Sequence, residues 1–408
     1  MTNWDIEVYN QEMKVALVYD RVNKWGGAER VLLALHKIFP DAPLYTSVYN
    51  RDKAPWAKVF TVKTSFLQNF PFASQNHEFY APLMPLAFES FSFDGYDLVI
   101  SVTSEAAKGI ITKPGTLHIC YRLTPTRYLW SGFDEYFKNP ILRFISKPVV
   151  SYLRFWDRAT THRPDSFIAI STEVQKRIKK YYNRDSEIIY PPLMLGAEVA
   201  SKNFRVRNAS NKLSLGSLRE GASATSENFE SSPRQNNQSS IINGQYFLIV
   251  SRLVPYKKID LAIKVFNKLG LPLKIVGTGI EETKLKRMAK TNIEFLGYLT
   301  DKELVEYYKE CQALIFPQEE DFGLAILEAQ SFGKPVIALK KGGALDIVTD
   351  GKTGIFFEEQ SKKSLEDAIL KFQKTNFNPE DSIENAKKFS FEEFKTNLEK
   401  KIKLTIGS

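Results

Sequence analysis

Two carboxylates, Glu320 and Glu328, stand eight residues apart in PQEEDFGLAILE, residues 317–328. The first lies in a Pro-led turn after the apolar run 313–316, the second inside a helix that Gly323 opens. A strand, an acidic-glycine turn and a helix place free backbone N–H groups at the carboxyl edge of a sheet. Phosphate binds there, because unpaired donors and the helix dipole point the same way. Carboxylates beside such a site accept hydrogen bonds from hydroxyls, so the ligand expected is a sugar or ribose carrying phosphate. The plain alternative is an acidic turn that only caps a helix.

SRLVPYKK follows the strand-like YFLIV and puts Arg252 and Lys257 five apart just past a strand end. A guanidinium fork and an ammonium point charge there can neutralise a diphosphate; alone, they are two exposed cations before a helix. Gly277, in the VGTG that ends one strand, allows close backbone approach to a flat group such as a base. Gly342 and Gly343 open a further helix in KKGGALDIV, and such a pair can equally make only a tight turn. Near the start, WGGAERV follows MKVALVYD, so the helix begun by Gly26 and Gly27 can turn its N–H groups to a phosphate. A structural glycine turn is the alternative there. The chain has no GxxxxGK[ST], no GxGxxG after the second-half strand, no HExxH or His/Cys cluster and no GxSxG. Those gaps argue against a P-loop enzyme, a nicotinamide fold, a metal site and a Ser-His-Asp hydrolase.

A chain of 408 residues, 43% hydrophobic, should form two or three domains with filled cores. Cys120 and Cys311 lie far apart in apolar segments, with neither metal spacing nor a disulfide framework, which suits a reducing cytoplasm. No signal-like leader is present and no apolar run approaches about 18 residues, so a soluble or peripheral cytoplasmic protein is expected. The net charge of +9 is uneven: residues 141–184 hold ten Lys or Arg against three acids. Phe144, Tyr152, Phe155, Trp156, Tyr181 and Tyr182 are interleaved with them. That mixture fits an anionic membrane surface, here the inner face of the plasma membrane. An amphipathic helix with a solvated cationic face is the alternative. No RNA-module or zinc-finger signature accompanies the charge, so nucleic acid is not an expected partner.

These residues need a scaffold of alternating strands and helices. MKVALVY, PLYTSVY, YDLVISV, LHICY, SFIAIS and EIIYP read as strands, with helical periodicity at 28–39, 141–158 and 172–182. A second series runs YFLIVS, PLKIVG, IEFLG, ALIFP, PVIAL and GIFF, with helices between. The pattern predicts two doubly wound, Rossmann-like α/β domains, with ligands in the cleft between facing strand ends. Boundaries are expected at 13–200, at a polar insertion over 201–243 with ten Ser and seven Asn, at 244–385, and at a closing helix within 386–408.

Assembled, the chain resembles retaining glycosyltransferases of the GT-B fold, in the group that includes sucrose synthases and lipopolysaccharide and mannosyl transferases. The wording GGAERV, FPDAPLYTSVY, TSFLQ, LMPLAFE, YDLVISV, LHICY, TPTRYLW, YPP, SRLVPYKKIDLAI, EEDFGLAILEAQ and GGALDIV is similar to O-antigen and exopolysaccharide mannosyltransferase-like proteins. The resemblance implies a GT-B architecture, two Rossmann-like domains facing across a cleft, and a metal-free hexosyl transfer with retention. The implied donor is a nucleotide-diphosphate sugar, GDP-mannose favoured; the implied acceptor is a lipid-linked or growing glycan of the cell surface. Arg252 and Lys257 then hold the donor diphosphate. Glu320 contacts the donor sugar, Phe322, Gly323 and Leu324 supply amides to sugar and phosphate, and Glu328 binds ribose. Gly26 and Gly27 match the first-domain glycine loop. One departure stands out: where relatives read HTP, this chain reads LTP, so Leu123 replaces a histidine near the donor sugar. Arg122 or Arg127 are candidates to compensate, and His118 reads as a core histidine. The rival readings are a GT-B epimerase or phosphorylase, and a non-catalytic nucleotide-sugar-binding or membrane-docking protein.

Overall fold

The computed structural model describes residues 13–195 and 246–406. The polar leader 1–12 and the insertion 201–243 lie outside the described residues. The chain divides into two compact units, Met1–Pro192 with Phe389–Ser408, and Leu193–Lys388.

The first unit holds seven strands: β1 (Val15–Tyr19), β2 (Leu44–Thr46), β3 (Val62–Thr64), β4 (Leu98–Thr103), β5 (Leu117–Arg122), β6 (Ser166–Ala169) and β7 (Glu187–Ile188). They form one parallel sheet in the order β3-β2-β1-β4-β5-β6-β7. Every residue of β1 and β4 is buried, as in sheets covered on both faces, which is why β1 is an unbroken apolar run and β4 is apolar apart from Ser101 and Thr103. β3 has no such signature; in VKT an exposed Lys63 lies between two half-buried residues, and only its pairing with β2 makes it a strand. The helices follow from their caps. Ser171 accepts from the Val174 amide to start Thr172–Tyr182, and Asn183 ends it in the left-handed conformation at φ 52°.

The second unit holds β8 (Tyr246–Val250), β9 (Leu273–Val276), β10 (Ile293–Gly297), β11 (Cys311–Phe316), β12 (Val336–Leu339) and β13 (Gly354–Phe357). Their order is β10-β9-β8-β11-β12-β13, all parallel. Helices Ile259–Leu269 and Lys362–Gln373 cover this sheet from one core that includes Phe247, Phe266, Ile315 and Phe372. Helix Phe391–Ile406 groups with the first unit, where Phe394 meets Tyr121 of β5 at a centroid distance of 6.0 Å.

In each sheet the chain fills one side, then crosses back past its first strand. The reversal falls between β1 and β4 in one unit and between β8 and β11 in the other. Connections leaving those two strands diverge and open a crevice at their carboxyl ends, where doubly wound sheets bind ligands.

Candidate functional site

Three of the expected residues converge at the β8/β11 reversal. After β8 the chain makes a single 3-10 turn, Pro255–Lys257, and Lys258 enters helix Ile259–Leu269 from the left-handed conformation. This turn buries the Lys257 side chain to 7% exposure, leaving its ammonium paired with Glu320 Oε1. A buried ammonium needs such a counter-charge. Tyr256 joins the cations: its hydroxyl accepts from Arg252 Nη2 at 2.7 Å, and its ring lies 5.1 Å from Lys257 Nζ. Arg252 itself is exposed. Sequence reasoning missed Tyr256, because a tyrosine between a proline and a lysine reads as ordinary turn packing.

Glu320 and Phe322 belong to the turn after β11, which ends at Gly323 with φ 116°, and Leu324 starts helix Leu324–Ser331. Gln318, 1% exposed, donates weakly to Glu320 at 3.4 Å, while its Oε1 is buried without a hydrogen-bond partner. That orphan acceptor is a second residue the motif reading passed over. Glu328 is placed separately on the helix, buried, and accepts from the Tyr308 hydroxyl at 2.8 Å.

The glycines hold these turns together. A Cβ on Gly342 would lie 2.2 Å from the Glu320 carbonyl oxygen, and one on Gly343 2.1 Å from that of Phe322. The Gly343 amide donates to Glu320 O at 2.8 Å, so the pair clasps the acidic turn from behind. Gly277, at φ 127°, is likewise closed by Ser251 O at 1.9 Å from its hypothetical Cβ. Its close approach is to the backbone that carries Arg252.

The first unit's reversal is arranged differently. Asp20, directly after β1, accepts from the amides of Ser104, Glu105 and Ala107 and from the Thr103 hydroxyl, at 2.7–3.0 Å. Burial, with Glu105 close by, pushes its carboxyl up, against the pull of those hydrogen bonds. Arg21 pairs with Glu105 at 2.5 Å. At helix Gly27–Ile38 the local anion is the chain's own: buried Glu29 accepts from Tyr19 at 2.7 Å, and its Oε2 lies 3.1 Å from where a Gly26 Cβ would be. Nearby His77, buried and linked to Asn23 at 3.2 Å, is held down to about 4 by burial and then by Arg21. The signal for this cluster was the Asp that ends MKVALVYD.

Leu123 sits half-exposed at the end of β5. Arg122 cannot stand in for a missing histidine there. Its guanidinium is fully buried, donating to the Tyr182 hydroxyl at 2.6 Å, to Thr126 and to the Glu105 carbonyl. Arg127 is half-buried. His118 is a core residue as expected, fully buried on β5 with Ser101 at 2.8 Å.

Fold and site define a doubly wound α/β protein with a cationic crevice backed by carboxylates. Residues 232–389 match the family model described as glycosyl transferases group 1. An uncharacterized glycosyltransferase of Methanocaldococcus jannaschii is 30% identical over 148 residues, covering 35% of this chain and 42% of its own length. The O-antigen chain mannosyltransferase C of Escherichia coli is 26% identical over 136 residues, 31% of this chain and 37% of its own. The chain thus spans about two fifths of the length of these two curated relatives. Among solved structures, Anabaena HepE in complex with UDP and glucose has a TM-score of 0.64 at 18% identity, covering 96% of this chain and all of that one. The fold is that of GT-B glycosyltransferases, and the stretch that matches the group 1 glycosyl transferase model falls mostly in the second unit.

Proposed function

We propose that the chain is a hexosyltransferase that moves a sugar, mannose favoured, from a nucleotide-diphosphate sugar to a hydroxyl of a lipid-linked or growing cell-surface glycan. The observation that carries this reading is the Arg252–Tyr256–Lys257–Glu320 constellation at the carboxyl edge of a Rossmann-like sheet. Mannose is favoured by the O-antigen relative; HepE's complexes with UDP keep a uridine donor in the test.

Departure of the nucleotide is the demanding step, since breaking the anomeric C–O bond leaves its electron pair, and one further negative charge, on a diphosphate that already carries two. Arg252, Lys257 and the amides at Gly323 are placed to absorb that charge as it develops, which lowers the barrier more than it tightens ground-state binding. No metal is required in this scheme. The incoming diphosphate displaces Glu320 from Lys257 and frees the carboxylate to accept from the donor sugar's hydroxyls. Tyr308 holds Glu328 for the ribose. A leaving phosphate oxygen takes the acceptor's proton on the same face, giving retention without a protein base, which makes Leu123 compatible with turnover.

The test is a thermal-shift screen of nucleotide sugars, followed by product analysis with and without acceptor. A stabilising donor with acceptor-dependent transfer supports the reading. Sugar isomerised without acceptor would make the chain an epimerase, and binding without turnover across acceptors would make it a non-catalytic binder.

A further inference from the structure

Helix Pro140–Ala159 of the first unit is amphipathic in an unusual way: it has three faces. At about 100° per residue, Val150, Leu153 and Asp157 form one stripe, and these are its buried residues. Arg143, Lys147, Arg154 and Arg158 form a second, beside it. Ile141, Phe144, Ile145, Tyr152 and Phe155 form a third, opposite the buried stripe, and Phe144 and Phe155 are 74% and 75% exposed. Nothing in the helix before Val150 is buried, so its first half overhangs the unit.

The overhang is firmly held at its far end. Asp157 accepts from Trp130 Nε1 at 2.7 Å and pairs with fully buried Lys108 at 3.1 Å, while Lys108 also donates to the Asp157 carbonyl at 2.6 Å. A helix anchored by a buried ion pair yet showing phenylalanines to solvent is presenting them.

Ser151, Arg154, Phe155 and Arg158 line an open hollow on the border of the basic and apolar stripes. Both guanidiniums lie over Trp130, at 5.6 and 4.7 Å from its ring centroid, and neither has a carboxylate within ion-pair distance among the described residues. Burial and then the like charge of Arg158 lower the pKa of Arg154.

We infer that this helix docks the chain on an anionic lipid bilayer: the apolar stripe enters the acyl boundary, and the Arg154–Arg158 hollow seats a lipid phosphate. Arg143 pairs with Asp134 at 2.7 Å, but Arg154 and Arg158 pair with no carboxylate among the described residues, and apolar side chains bordered by such cations match the depth profile of an anionic leaflet, which selects the occupant. The inference deepens the reading of a lipid-linked acceptor by naming the surface that meets it. It also narrows the membrane-facing segment expected from 141–184. Trp156 donates to Glu89 at 2.7 Å, Tyr181 stacks on Trp130 at 5.2 Å and Tyr182 is buried, so these three aromatics pack within the protein.

The test is co-sedimentation of the full chain with phosphatidylglycerol-containing and pure phosphatidylcholine vesicles, beside Phe144→Ser/Phe155→Ser and Ile141→Ser/Ile145→Ser variants. The second pair lies in the overhang, where folding is not at stake. Wild type should bind the anionic vesicles at least tenfold more strongly than neutral ones, and each variant should lose at least tenfold. Variants that sediment like wild type, equal binding to both vesicles, or a wild-type dimer that the variants split would each overturn the inference. Donor-induced thermal shift should be unchanged throughout; its loss in wild type would count against the transferase reading alone.

Discussion

The two sheet reversals share a topology and differ in what fills them. At β1/β4 the amide-rich turn is occupied by the chain's own Asp20, and Arg21 is matched by Glu105. At β8/β11 the cations meet softer partners: Lys257 pairs with Glu320, Arg252 donates to the Tyr256 phenol, and among the described residues Gln318 keeps a buried acceptor without a hydrogen bond. One crevice has internalised its anion; the other, on the proposed reading, receives one from the donor. A fold therefore supplies two topologically equivalent crevices, and the side chains give them different chemistry.

Four measurements sharpen or break this contrast. Lys257→Ala should cost the most, lowering turnover by ~100- to 1,000-fold, about 3–4 kcal/mol, while the unfolding midpoint stays near wild type. A turnover loss below about tenfold would remove Lys257 from the transition state. Asp20→Ala should instead destabilise the first unit by about 2–3 kcal/mol in denaturant, because one buried and two part-buried amides lose their acceptor. Donor-induced stabilisation should persist in that variant; its disappearance would make the first crevice part of the donor site.

Acid should also weaken the first unit. His77 and His118 are held down to about 4 and about 3, mainly by burial, so the unfolded chain binds more protons than the native one as pH falls below 6.5. Stability is then present above 6.5 and lost as pH falls through 6.5 towards 4, by no more than about 3 kcal/mol for His77. His77→Gln should flatten that slope in urea titrations at several pH values. Smallest is Tyr256→Phe, which removes the hydroxyl that Arg252 grips and keeps the ring beside Lys257. A loss of about threefold to tenfold in kcat/KM is expected, comparable to one hydrogen bond; an unchanged value would show that Arg252 is aimed without it.

The second unit was the more legible half, for a physical reason. Its six strands are short apolar runs separated by helices with ordinary caps, such as the Thr300–Glu303 capping box that starts Asp301–Glu310. Its charged site residues lie on the connections after β8 and β11, where their types advertise their chemistry. Tyr256 and Gln318 carry no such mark, since their roles come from what the fold sets beside them. In the first unit β3 was invisible because three residues, none of them buried, are too few to show a periodicity. Residues 141–184 were read as one basic-aromatic segment, but burial divides them by helix face, information that composition averages away.

The Gly342–Gly343 clasp has a kinetic consequence. With the backbone of residues 320–322 pinned from behind, Glu320 can leave Lys257 for the proposed donor only by rotating about its own side-chain bonds. Rotamer exchange at a half-exposed residue takes nanoseconds or less, whereas loop remodelling takes microseconds or longer. Donor association in rapid mixing should therefore follow a single phase that rises linearly with concentration, free of the plateau that a slow opening of this turn would impose.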